Sequence, residues 1–141
     1  MPSTEYLDQI VVKNKQLYAE LEQLRIVVEN RALSALEQRA AERVLYLAIL
    51  SALGIAKHWA KKPAWFAPQD AYQAFEILVQ KGNQPMESLT SWRKVIGLRN
   101  ALVHDYLNTD PEIVRSVIGQ GYYEQLFTFA EQGIDWLAQA Q

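Results

Sequence analysis

The chain has 141 residues, 50% of them hydrophobic and 21% charged, which suits one globular domain over residues 1–141 and argues against a disordered polymer. It contains no cysteine, which excludes a disulfide framework and thiolate metal sites, and no apolar run approaches the ~20 residues of a membrane span. Net charge is −2, but residues 38–104 hold nine Lys/Arg against four acids (+5), whereas residues 105–141 hold six acids against Arg115 alone (−5). The first residues offer no basic flank and no apolar stretch, so the cytoplasm is the expected compartment. No spacing asks for a metal ion or a cofactor.

Leu7, Ile10, Asn14, Leu17, Leu21, Leu24 and Val28 recur at steps of three and four, which draws one stripe along a long first helix. Asn14 is the polar member of that stripe, and its expected role is to fix the register of a helix seam. Ser34-Ala35-Leu36-Glu37 has capping-box spacing and opens a second helix, expected to run to about Lys61 before Pro63 and Pro68 impose a loop. A shorter third helix is predicted from about Gln69 to Lys81, ended by Gly82-Asn83-Gln84-Pro85. The fourth is predicted to begin near Pro85, with Leu89, Trp92, Ile96 and Val103 on one side. Asp110-Pro111-Glu112 supplies an N-cap, a first-turn proline and a dipole-matched acid for a fifth helix through about Leu137. No segment alternates with the period of a strand. The predicted fold class is all-α: an antiparallel four-helix-type bundle with an additional helix, about five helices in all.

The basic half of the chain could turn one face to phosphates, although a solvated helix surface explains the same charges equally well. Trp59, Trp65, Phe66 and Tyr72 gather around the Pro63–Pro68 loop beside Lys57, Lys61 and Lys62. Aromatics interleaved with cations can stack on unpaired bases; the more ordinary expectation is that most of these rings seal the loop against the bundle.

The sharpest feature is Gly97-Leu98-Arg99-Asn100-Ala101-Leu102-Val103-His104-Asp105-Tyr106. An Arg and a His five residues apart form a weak pattern alone, and a His near a helix end is favoured by the dipole. The chain has only two histidines, however, and this one stands among Arg99, Asn100 and Asp105. On a continuous helix Arg99 and His104 lie roughly 140° apart, while Tyr106 falls about 20° from Arg99 and two turns along. One chain therefore offers a single acid–base group and an Arg that converges on it poorly.

Arg99 to Tyr106 resembles the Arg-x4-His-x-Tyr signature of the HepT family, a branch of the HEPN superfamily. Arg39-Ala40-Ala41-Glu42-Arg43 resembles the opening of that family's second helix, and Ala71-Tyr72-Gln73-Ala74-Phe75-Glu76-Ile77-Leu78 its third. Leu107 to Val114, running into Gly133-Ile134-Asp135-Trp136-Leu137, resembles its fifth. The resemblance implies a HEPN-like fold and a homodimer in which two motifs face each other as an endoribonuclease site. It also implies a toxin of a toxin–antitoxin pair, silenced when a minimal nucleotidyltransferase antitoxin (MntA-like) attaches AMP to the motif tyrosine. On this chain Arg99 and His104 would be catalytic, Asn100 and Asp105 supporting, and Tyr106 modified. Lys57, Lys61, Lys62, Arg93 and Lys94 are the candidates for binding RNA, with tRNA a possible target class. The sequence departs from the family in the second helix, where Leu50, Gly54 and Lys57-His58 stand in place of two acids four residues apart and an Asn-His pair. The rival expectation is a non-catalytic subunit that binds the nucleotidyltransferase and presents it with substrate. Gly54 in mid-helix points to a close packing contact, such as the dimer contact, and His58 is expected to be structural or part of the family's second-helix surface.

Overall fold

The computed structural model describes residues 2–104 and 110–140. The described residues form six helices: α1 (Thr4–Asn30), α2 (Ala35–Ala64), α3 (Ala71–Gln80), α4 (Ser88–His104), α5 (Pro111–Gly119) and α6 (Glu124–Ala140). None of them is long and apolar enough to cross a membrane.

Most helix starts follow local side-chain chemistry. Ser34 and Glu37 close a reciprocal capping box at α2, and Ser3, Asp70 and Asp110 each accept a backbone N–H in the first turn of their helix. Helix ends differ from expectation at two places. α2 continues past Pro63, because Lys61 O still accepts the Trp65 N–H at 3.1 Å and the proline removes only one bond from the last turn. The expected fifth helix is two helices. Gly121, at φ 72°, and the Tyr122 N–H bonded to Val117 O at 3.0 Å turn the chain between α5 and α6. A Cβ at residue 121 would stand 2.9 Å from Arg25 Nη1, the tip of a side chain that can shift, so the positive φ is what favours glycine there. α4 begins at Ser88 rather than Pro85, since residues 85–89 first form a tighter turn with bonds from Ser88 N to Pro85 O and from Leu89 N to Met86 O.

Leu7, Leu17, Leu21 and Val28 are buried along the inner face of α1, as the stripe requires. Tyr6 packs on His58 at 5.1 Å between ring centroids, and Asn14 Oδ1 accepts a 2.7 Å hydrogen bond from Ser51 Oγ. These contacts run α1 antiparallel to α2 and give Asn14 its seam role. Phe75–Trp92 and Tyr72–Arg93 make α3 and α4 antiparallel in the same way. An aromatic cluster fixes α4. Trp92 stacks on Phe75 at 4.2 Å and 13°, Phe129 meets Trp92 edge-on at 4.8 Å, and Trp59 lies 5.5 Å from Phe129. α6 approaches α2 closely at Gly133, where a Cβ would fall 2.4 Å from Ile55 Cγ2. Gly54, by contrast, would place a Cβ 3.8 Å from Tyr6 Oη, an ordinary contact, so packing within the chain does not explain that glycine.

The α5–α6 turn is tied to α1. The buried Tyr123 hydroxyl donates to Glu22, and Tyr18 Oη donates to Glu124 at 2.5 Å. That bond is the main reason the Tyr18 phenol is pushed up to about 12.

Candidate active site

α4 carries the motif with two unlike faces. Trp92 and Val95 are buried against the bundle, and Arg99 continues that inner line one turn further, half-buried. Arg93, Gly97, Asn100 and His104 step by four, three and four along the opposite side, and all are exposed. Arg99 does not simply follow its helical phase, because its Nε donates a 2.8 Å hydrogen bond to Asn100 Oδ1. Asn100 lies about 40° from His104 and one turn away, so the bond draws the guanidinium toward the histidine side of the helix. That bond ties the guanidinium to Asn100, on the exposed side of the helix. Val103, expected on the inner side, is 40% exposed at the helix end.

Asp105 and Tyr106 lie outside the described residues, as do Leu107, Asn108 and Thr109 of the segment leading to α5.

The cationic candidates fall into two groups. Arg93 and Lys94 stand on α4 with the motif. Arg93 donates to Tyr72 Oη at 2.6 Å and lies 4.9 Å from that ring's centroid, which holds it against α3. Lys94 lines a groove of about 660 Å³ with Leu98, Ile113, Val117 and Tyr122. Lys57, Lys61 and Lys62 are exposed on the C-terminal half of α2. Leu45 and Ile49 share the groove with Val95 and Leu98, whereas Trp59 meets the chain near Trp92, so α2 and α4 run in opposite directions. The three lysines therefore stand toward the start of α4, away from His104, and a strand touching both must lie along the bundle.

His58 is half-buried beside Tyr6, and this burial lowers its pKa, with the positive charges of the N-terminus and Lys61 adding to the effect. Leu50 is 37% exposed on the outer face of α2. Among the described residues no three His, Cys, Asp or Glu side chains converge to hold a metal ion. Of the four aromatics around the α2–α3 loop, Trp59 is buried in the cluster and Tyr72 is engaged by Arg93. Trp65 and Phe66 do not seal the loop: they are 91% and 53% exposed, because Trp65 caps α2 in the left-handed conformation and turns outward.

One polar feature went unread in the sequence. Gln125, Thr128, Gln132, Asp135 and Gln139 step by three and four along α6 and face a cavity of about 680 Å³ floored by Trp92 and Trp136. The helical spacing of those polar residues was the signal; reading only the apolar phase of α6 hid it.

Searches of curated proteins and of solved structures returned no significant match. A family model described as "Ribonuclease HepT-like" matches residues 15–132, which takes in α2 to α5 and the whole Arg99–Tyr106 segment. With that match over most of its length, the chain belongs to the HepT-like ribonuclease family.

Proposed function

We propose that the chain, as one HEPN-like domain, is a cytoplasmic endoribonuclease toxin that cuts RNA without a metal ion, as a homodimer. The observation that carries this reading is the Arg99–Asn100 bond, which holds a guanidinium toward the His104 face in a chain of a ribonuclease family.

The chemistry needs three functions. A base removes the proton of the ribose 2′-hydroxyl, whose oxygen then attacks the adjacent phosphorus. An acid protonates the departing 5′-oxygen as the P–O5′ bond breaks, leaving a 2′,3′-cyclic phosphate and a 5′-hydroxyl. A cation meets the charge that builds on the phosphate oxygens, for which a guanidinium fork is well shaped. One chain brings one motif histidine. A twofold axis beside the exposed face of α4 would bring two copies of His104, as base and acid, and two copies of Arg99 into one groove. Asn100 holds Arg99 through Nε, and the two Nη groups are the part of the fork that would face phosphate. Lys57, Lys61, Lys62, Arg93 and Lys94 would bind the flanking backbone, and tRNA is the proposed target class.

The off-switch in this reading is transfer of AMP to Tyr106 by a minimal nucleotidyltransferase antitoxin. The phenol oxygen attacks the α-phosphorus of ATP, pyrophosphate leaves, and the phenol proton is released. The added phosphodiester would then compete with substrate for Arg99. Asp105 would support His104. The second reading, a non-catalytic subunit that presents substrate to the transferase, draws on the exposed Leu50 standing where the family carries an acid.

Co-expression with the cognate transferase tests the switch. Intact mass should rise by about 329 Da per AMP on the peptide holding Tyr106, following the phosphodiester chemistry above. Tyr106→Phe should stay toxic and escape the transferase. Full neutralisation with Tyr106 unmodified contradicts the switch, and a Tyr106→Phe chain without any growth phenotype supports the presenter.

A further inference from the structure

We infer that Trp65 and Phe66, at the end of α2, form a platform on which unpaired bases of the RNA strand stack. The inference rests on the part of the proposed function that has the chain bind RNA.

Trp65 breaks two local rules at once. Its backbone is left-handed, at φ 63°, where glycine is the residue that fits without strain and a bulky side chain is an outlier. Its indole is 91% exposed, so the fold gains almost no burial in return. Phe66 follows at 53% exposure. Neither strain nor exposed apolar area is offset inside the chain, and that combination marks a group held for an external contact.

The surroundings select the contact. Lys61 and Lys62 lie in the last turn of α2, with Lys57 one turn before. All three are exposed, and the ion pairs among the described residues, Arg25–Glu29 and Arg31–Glu37, include none of them. Asp70, the next acid in the chain, is occupied as the N-cap of α3, accepting from Gln73 N at 2.8 Å. Two rings beside three uncommitted cations match a single strand, whose phosphates meet the lysines while its bases meet the rings. The tip lies toward the opposite end of α4 from His104, so it would grip the strand several nucleotides from the cut.

The protein reports on this site by itself. Of its four tryptophans, Trp59 and Trp92 are 3% exposed and Trp136 is half-buried, so acrylamide quenching of fluorescence reads mainly Trp65. The probe is a 2′-O-methyl oligoadenylate of about 12 nucleotides, within the usual site size, which 2′-hydroxyl chemistry cannot cut. The strand should shield the indole from acrylamide, and the same length of duplex should not. Trp65→Gly relieves the left-handed strain, so it should melt roughly 2–4 °C higher yet bind the strand about 5- to 140-fold more weakly, the range for one lost stacking platform. Trp65→Phe should keep most of the affinity. A Trp65→Gly protein that binds like the parent, or an indole left unshielded, overturns the platform. If RNA is still cut in a His104-dependent way, the nuclease reading stands; if the strand shields Trp65 but no RNA is cut, the nuclease reading fails and the platform stands.

Discussion

Asn100 is the least conspicuous residue of the motif, and its replacement should be informative. Asn100→Ala removes the acceptor of the 2.8 Å bond from Arg99 Nε and frees a long side chain that is otherwise tied to the exposed side of α4. A hydrogen bond to a charged group contributes about 1.5–3 kcal/mol when shielded. Here Asn100 is exposed and Arg99 half-buried, so water competes and about 1 kcal/mol remains. Restraining an arginine side chain costs about 2 kcal/mol of rotamer entropy, which sets the upper bound. The corresponding loss in kcat/KM is roughly fivefold and at most about 30-fold. Asn100→Asp keeps an acceptor but places a carboxylate beside the guanidinium, so KM should rise more than kcat falls. Initial rates on a quenched fluorescent RNA, read against substrate concentration, separate the two variants. Melting curves should coincide with the parent's, because the position is exposed. An Asn100→Ala enzyme with unchanged kcat/KM refutes the view that this bond positions Arg99.

Two glycine substitutions should move stability in opposite directions. Gly133→Ala drives a methyl to 2.4 Å from Ile55 Cγ2 and 3.0 Å from Trp59 Cε3, and should lower the melting temperature by roughly 2–8 °C, the overpacking cost exceeding the gain in helix propensity. Gly97→Ala meets nothing within 4 Å inside its own chain and should raise stability by up to about 1 kcal/mol; a lower melting temperature would mean that the partner protomer packs on this face. Changing Lys57, Lys61 and Lys62 together to Gln should flatten the salt dependence of RNA binding by about two units of log–log slope while kcat holds. An unchanged slope places the strand elsewhere.

Helix starts were legible because they are written in a few adjacent side chains: Ser34 with Glu37, Asp110 with Pro111. Helix ends were less so. Pro63 reads as a stop, yet proline's missing N–H removes one bond only, and Lys61 O still has the Trp65 N–H to accept. The turn at Gly119-Gln120-Gly121 was hidden by apolar residues that keep helical phase across it. Its cause is tertiary in part, the buried Tyr123 anchored on Glu22, and local in part, the positive φ of Gly121. The motif itself was legible as spacing, and the bond from Arg99 to Asn100 was not, because side-chain direction depends on neighbours that helical phase ignores. The outward turn of Trp65 was missed for a related reason, since a ring beside a loop ordinarily finds cover and nothing local announces a left-handed tryptophan.

The most direct measurement is the fate of single-stranded RNA given to the purified protein in the presence of a chelator. The expected result is cleavage that leaves 2′,3′-cyclic phosphate and 5′-hydroxyl ends, from a protein that sediments as a dimer. His104→Ala, at an exposed position, should keep the dimer and the melting temperature but lose about 10²- to 10⁴-fold in rate, the usual contribution of a general acid or base. A parent protein that makes no cut, or a His104→Ala protein that cuts as fast as the parent, contradicts the assignment.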